Sequence, residues 1–261
     1  MLAEKTLIRK KNHEYWMNRA GGYSKVNREE LDGIQRRNWS LLLDHEIKTH
    51  FGTYQTRDEI RILDTGAGPG FFSIILTELG YRLTAADFAG AMLEEARTNA
   101  GSLAASIDFR VENAMDLSFE DGSFDVVISR NLTWNLPEPE NAYAEWLRVL
   151  KPNGLLLVFD ANWYAYLRDM DMKTAYDQDR ENVRQRGYSD YNIGENFDVM
   201  ERIADHMPLT GMKRPSWDRD ILKKLGAHDI MTIDDIGRKV YSDKEKINYA
   251  STPMFMIKAV L

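Results

Sequence analysis

Residues 60–70 read Ile-Arg-Ile-Leu-Asp-Thr-Gly-Ala-Gly-Pro-Gly. An apolar strand pattern runs into Asp64 and then into glycines at every second position, Gly66, Gly68 and Gly70, before a helix pattern opens at Phe71. Such a junction is the first βα turn of a doubly wound α/β sheet, whose ligands lie outside the carboxyl ends of the strands. Glycine suits the turn because its backbone reaches left-handed angles and lets a flat ligand come close. The spacing narrows the ligand. A dinucleotide fingerprint, G-x-G-x-x-G, requires glycine where Phe71 stands, and here the third glycine falls one residue early. A nicotinamide-dependent oxidoreductase is therefore disfavoured, and the form is G-x-G-x-G.

Outward from this loop the strand patterns continue. Arg82 to Ala86 ends at Asp87, about 23 residues after Asp64, close to where an acidic residue takes a ribose diol in such folds. A carboxylate suits that task because it accepts two hydrogen bonds at once. Asp87 also reads as a helix N-cap, since Ala89 to Ala100 has a helical pattern. Further on, Phe109 to Val127 reads as strand, polar loop and strand, and Leu147 to Gly154 leads into the apolar run Leu155 to Phe159.

In this order, over about 100 residues from Ile60 to Asp160, these segments resemble the class I S-adenosylmethionine (SAM)-dependent methyltransferases, with Leu63 to Gly70 resembling their motif I. The Asp160-Ala161-Asn162-Trp163 stretch is similar to the ubiquinone and menaquinone methyltransferase-related group. The resemblance implies an α/β fold: a Rossmann-like, seven-stranded sheet, mainly parallel with an antiparallel last strand, with N-terminal helices and a helical cap inserted after strand 5. It implies SAM as cofactor, S-adenosylhomocysteine (SAH) as product and a small-molecule acceptor. It places Tyr23, Asp64, Gly66, Ala67, Gly68, Gly70, Asp87, Phe88, Met92, Asn113, Ala114, Met115 and Arg130 at the cofactor. Among these, Asp87 faces the ribose and Asn113 replaces the Asp that the family often has against the adenine amino group. Met92 and Met115 lie on the adenine, although methionine at helical spacing is also ordinary core filler. Arg130 forks onto the methionine carboxylate, as a guanidinium does.

Four stretches follow: residues 1–55, an N-terminal helical segment covering the cofactor; 56–160, the SAM-binding core; 161–215, the cap with the acceptor site; and 216–261, the last core helix with strands 6 and 7. Within the first, Arg28 to Lys48 has apolar residues at helical intervals. The preceding Tyr15 to Tyr23 resembles the segment that folds over the cofactor in small-molecule members of the family. Aromatic faces there suit a sulfonium, and Gly21-Gly22 lets Tyr23 approach closely. The cap mixes aromatic residues such as Trp163, Tyr164, Tyr166, Tyr176 and Tyr191 with balanced charge, which suits either a small acceptor or a homodimer interface. Trp217 to Leu225 reads as a helix, and Asp229 to Ile233 and Phe255 to Leu261 as strands.

Composition limits the chemistry. The 261 residues contain no cysteine, which removes disulfides, thiolate metal sites and methyl transfer through a cysteine nucleophile. The net charge of -7 argues against a nucleic-acid footprint, Arg9-Lys10-Lys11 being the best basic cluster. No Asn-Pro-Pro-Tyr-type tetrapeptide follows strand 4. No apolar run reads as a signal peptide or a membrane span, so a cytoplasmic location is expected. The five histidines lack metal-ligand spacing, and no metal site is expected. A base for the acceptor's proton is sought after strands 4 and 5, at Asn131 and Tyr164, and at His206 in the cap. The reading is a SAM-dependent methyltransferase acting on a small molecule; the alternative is a SAM-binding protein without turnover, a sensor or partner subunit.

Overall fold

A computed structural model describes residues 2–52, 54–193 and 197–261, with side chains from residue 7 onward. The apolar runs form seven strands: β1 (Arg61–Thr65), β2 (Arg82–Asp87), β3 (Ile107–Val111), β4 (Phe124–Arg130), β5 (Leu150–Asp160), β6 (His228–Ile233) and β7 (Phe255–Val260). Their order is β3-β2-β1-β4-β5-β7-β6. Strand β7 is antiparallel to both β5 and β6, and the β1, β2, β3, β4 and β5 pairings are parallel. This is the mainly parallel sheet with an antiparallel last strand that the sequence implied. The order reverses between β1 and β4, which opens a crevice at their carboxyl ends.

Helices cover both faces, so the central strands bury apolar residues on both sides rather than on alternate positions only. On one face, Ile62, Ile128, Leu157 and Phe159 meet Trp39 and Leu43 of α2 (Ile34–Phe51) and Phe72 of α3 (Phe71–Glu78). On the other, Leu63, Val127, Leu156 and Val158 meet Tyr143 and Trp146 of α5 (Pro139–Val149). Helices α1 (Leu2–Asp32) and α4 (Gly90–Ala100) flank the crevice. The cap contributes α6 (Met170–Gln185) and α7 (Phe197–Ala204); then come α8 (Ser216–Lys224), α9 (Gly237–Val240) and α10 (Asp243–Asn248).

Local differences from the sequence reading have physical causes. Helix α1 runs uninterrupted through Gly21-Gly22. Two glycines cost a helix interior about 1 kcal/mol each, and packing of Ala20 with Ala89 and Met92 offsets that. The predicted continuous helix from Arg28 to Lys48 instead breaks at Gly33, whose extended backbone (φ -94°, ψ -178°) ends α1 and starts α2. Strand β5 begins at Leu150, five residues before the apolar run, through a bulge in which Asn153 takes φ 61°. Helices α9 and α10 had no counterpart in the sequence reading. Among the described residues no helix is long and apolar enough to cross a membrane.

Candidate active site

The three glycines of the loop are left-handed, with φ 69° at Gly66, 53° at Gly68 and 89° at Gly70. Gly66 and Ala67 amides donate to the Ala86 carbonyl at 2.8 and 3.0 Å, tying the loop to β2. A Cβ at Gly70 would stand 2.9 Å from Ala96 Cβ on α4, and one at Gly68 would project to within 3.6 Å of the Tyr23 ring. The first glycine lets helix and loop close; the second keeps open the cradle between loop and α1.

Two carboxylates frame that cradle. Asp64, at the end of β1, is 1% exposed and accepts from Ser73 Oγ at 2.6 Å. Asp87, at the end of β2, accepts from the Gly68 amide on Oδ2 and the Ala89 amide on Oδ1, both at 2.9 Å. Ala89 occupies the N-cap position of α4 and the helix has no side-chain cap bond, so the cap reading of Asp87 gives way to one in which it pins the loop. Burial pushes both carboxyls up to about 6, against the hydrogen bonds that favour their charged forms.

The sign of the linked pH effect follows. A carboxyl raised in the folded state favours folding below its ordinary value of 3.8, and that contribution is lost as pH rises to about 6. Asp87→Asn removes one of the two groups. The variant's stability relative to the parent protein is expected to rise by about 2–3 kcal/mol between roughly pH 4 and pH 7. Urea midpoints at both pH values check this, and a pH-independent difference would show that Asp87 titrates normally.

Beside the loop lie two adjoining cavities of about 60 and 280 Å³. Tyr23, Asp64, Gly66, Ala67, Gly68, Asp87, Phe88, Met92 and Arg130 line the first, and Asn113, Ala114 and Met115 the second. The structure thus brings the predicted cofactor residues together, except that Gly70 stands behind the wall against α4. Met92 serves both readings: it packs with Ala20 and Ala89 and also lines the cavity. Asn113 Oδ1 accepts from the Met115 amide at 3.1 Å, which leaves its second lone pair for a ligand.

Arg130 departs from expectation. Its two terminal nitrogens donate to Glu30 on α1 at 2.7 and 2.9 Å, so the fork assigned to a cofactor carboxylate closes within the protein. Two base candidates also fall away. Burial raises the Tyr164 phenol far above its ordinary value and packs it on Trp134. His206 lies in a groove between α1 and α7 that shares no residue with the two cavities, and its Nδ1 pairs with the Arg202 carbonyl at 2.7 Å. Asn131 is retained: it lines the first cavity with φ 57°, and its buried Oδ1 has no partner.

Helix α1 supplies residues the sequence reading missed. Arg9, Asn12, His13, Trp16, Tyr23 and Asn27 all reach the cavities from one helical face, and their three- and four-residue spacing was the available signal. Of these, Tyr23 is the one that the sequence analysis placed at the cofactor, so it is the other five that the sequence reading missed. His13 sets its ring 5.2 Å from Phe88. Asn12 Nδ2 donates to the Asn135 carbonyl at 3.1 Å, and Asn99 of α4 links Ser24 to the Pro69 carbonyl at 3.1 and 3.0 Å, fastening α1 over the loop. Around this space the side-chain polar atoms Asn12 Oδ1, Trp16 Nε1, Asn131 Oδ1 and Asn135 Oδ1 are buried without partners. Such atoms are rare in folded proteins unless a ligand satisfies them.

A family model described as a methyltransferase domain matches residues 63–158. The ubiquinone biosynthesis O-methyltransferase of Xanthomonas oryzae pv. oryzae is 34% identical over 103 residues, 39% of this chain and 43% of that protein. The chain therefore spans less than half the length of this curated relative. Among solved structures, a putative SAM-dependent methyltransferase from Methanococcus maripaludis superposes with a TM-score of 0.55 at 20% identity, over 90% of each chain. The Haemonchus contortus phosphoethanolamine N-methyltransferase 2, solved with SAM, gives 0.55 at 19% identity over 90% of this chain and 59% of that one. Residues 63–158 thus match a methyltransferase-domain model, and the seven-stranded fold around them is the one these solved methyltransferases share.

Proposed function

We propose that this protein binds SAM in the two adjoining cavities and transfers its methyl group to a small-molecule acceptor, releasing SAH. The observation that carries this reading is the set of buried, unpartnered polar atoms from α1 and the turn after β4, facing Asp87 across an open glycine loop. These groups match a ligand with a diol, an amino group and a polar tail. When bound, SAM supplies an electrophilic sulfonium methyl, so the chain's work is alignment and exclusion of water. Asp87 accepts the ribose hydroxyls, Asn113 and Met115 hold the base, and α1 closes the site with Trp16 and Tyr23, whose rings lie edge to face at 5.8 Å. The Glu30–Arg130 pair anchors that helix to the end of β4.

The test is incubation with methyl-labelled SAM and a small-molecule extract, the macromolecular fraction being run separately. Label arriving in a small metabolite is the expected result. Label in neither fraction, with SAH binding shown in parallel, would replace the enzyme by a non-catalytic SAM-binding protein.

A further inference from the structure

We propose that the cavity between α1, α2 and the α9–α10 segment is the acceptor pocket, and that it is built for an amine whose methylation leaves positive charge on nitrogen; this rests on the methyl-transfer reading above. The cavity measures about 330 Å³, within the range of small-molecule sites. Tyr23, Arg130 and Asn131 belong to its wall and to the wall of the cofactor cavity, so an occupant here abuts the donor site.

Its lining combines two features that one ligand chemistry explains. The first is a contiguous aromatic wall around Tyr249, with Trp163, Tyr241 and Tyr191 rings centred 5.1, 5.6 and 6.1 Å away. Ring faces attract a desolvated cation. The second is Glu245, only 6% exposed, whose Oε2 accepts from Gln35 Nε2 and from Ser242 N and Oγ, each at 2.7 Å. No cation among the described residues pairs with this carboxylate. Arg130 is taken by Glu30, and Lys244 stands over the Tyr191 ring with Nζ 5.6 Å from its centroid. Exposed Glu29 offsets Lys244 at the rim. A buried carboxylate without a cationic partner is unfavourable, and an ammonium in the cavity supplies the missing partner.

The reaction fits this charge distribution. The acceptor enters as an ammonium and sheds its proton to water past Glu245. The neutral nitrogen's lone pair then forms the bond to the methyl carbon as the carbon–sulfur bond breaks, and that electron pair stays on sulfur. Positive charge thereby passes from the donor to the nitrogen, toward the ring faces and Glu245, so the pocket stabilises the transition state more than the neutral amine.

The test is calorimetric titration of the SAH-saturated protein with tetramethylammonium and with its uncharged near-isostere 2,2-dimethylpropan-1-ol. Tetramethylammonium is expected to bind at least about tenfold more tightly than the alcohol. Glu245→Gln keeps a residue that serves the Ser242 capping box, and is expected to reduce the ammonium affinity about tenfold without changing the alcohol's. Tyr249→Leu is expected to do the same, whereas Tyr249→Phe, which keeps the ring face, stays near the parent value. Equal affinity for the two probes, or an unchanged ammonium affinity in Glu245→Gln, overturns the inference while SAH binding leaves the methyltransferase reading standing. Failure of SAH itself to bind overturns both.

Discussion

Asp87→Ala is expected to weaken SAH binding about hundredfold. The carboxylate lies at the end of β2, 7% exposed, with each oxygen holding one backbone amide and retaining a lone pair for a ribose hydroxyl. Hydrogen bonds to a charged group contribute about 1.5–3 kcal/mol each. Losing a pair of them amounts to about 3 kcal/mol or more, or two decades in affinity. Alanine also releases the Gly68 amide, so the loop loses the bond that sets its distance from Tyr23. Calorimetric titration at about pH 8, where the parent carboxyl is ionised, measures the effect. The same titration on Asp87→Asn, which keeps an acceptor for one amide, is expected to show a smaller loss. Affinity within twofold of the parent protein for Asp87→Ala would remove Asp87 from the ribose.

The β1 loop and Asp87 were legible because each rests on local chemistry. Left-handed turns demand glycine, and a strand ending in a carboxylate two residues before a helix's N-cap is a pattern within one βα unit. The sheet order was legible through resemblance, since nothing in β6 or β7 alone says that they cross. What escaped reading depends on long-range pairing. Arg130 ends β4, where the resemblance implied an arginine for the cofactor carboxylate, but its fate is decided by Glu30, 100 positions away on α1. Glu245 lies on, and Tyr249 directly after, a six-residue helix too short to show a period, although Ser242 and Glu245 form a reciprocal capping box whose S-x-x-E spacing is readable. His206 was considered because histidine titrates near neutrality, and no sequence feature says that its groove opens on the other side of α1.

Arg214→Leu is expected to destabilise the protein by about 3–5 kcal/mol, the usual consequence of removing one partner from a buried ion network. Arg214 is 5% exposed, and its nitrogens donate to Asp160 Oδ2 at 2.9 Å, to Asp218 at 2.6 to 3.1 Å and to Thr133 Oγ1 at 2.5 Å. Asp160 ends β5 and also accepts from the Trp134 amide at 2.9 Å, while Tyr143 donates to Asp218 at 2.7 Å. One guanidinium therefore fastens the end of β5, the turn after β4 that begins at Asn131, and the start of α8. Leucine fills much of the volume but strands two carboxylates that are themselves 0% exposed. Arg214→Lys keeps the charge and loses the fork, and is expected to fall between the two. Urea unfolding of the parent protein and both variants at neutral pH measures each difference. A deficit below about 1 kcal/mol at neutral pH would mean that the network fixes the geometry of the β4 turn without holding the fold together.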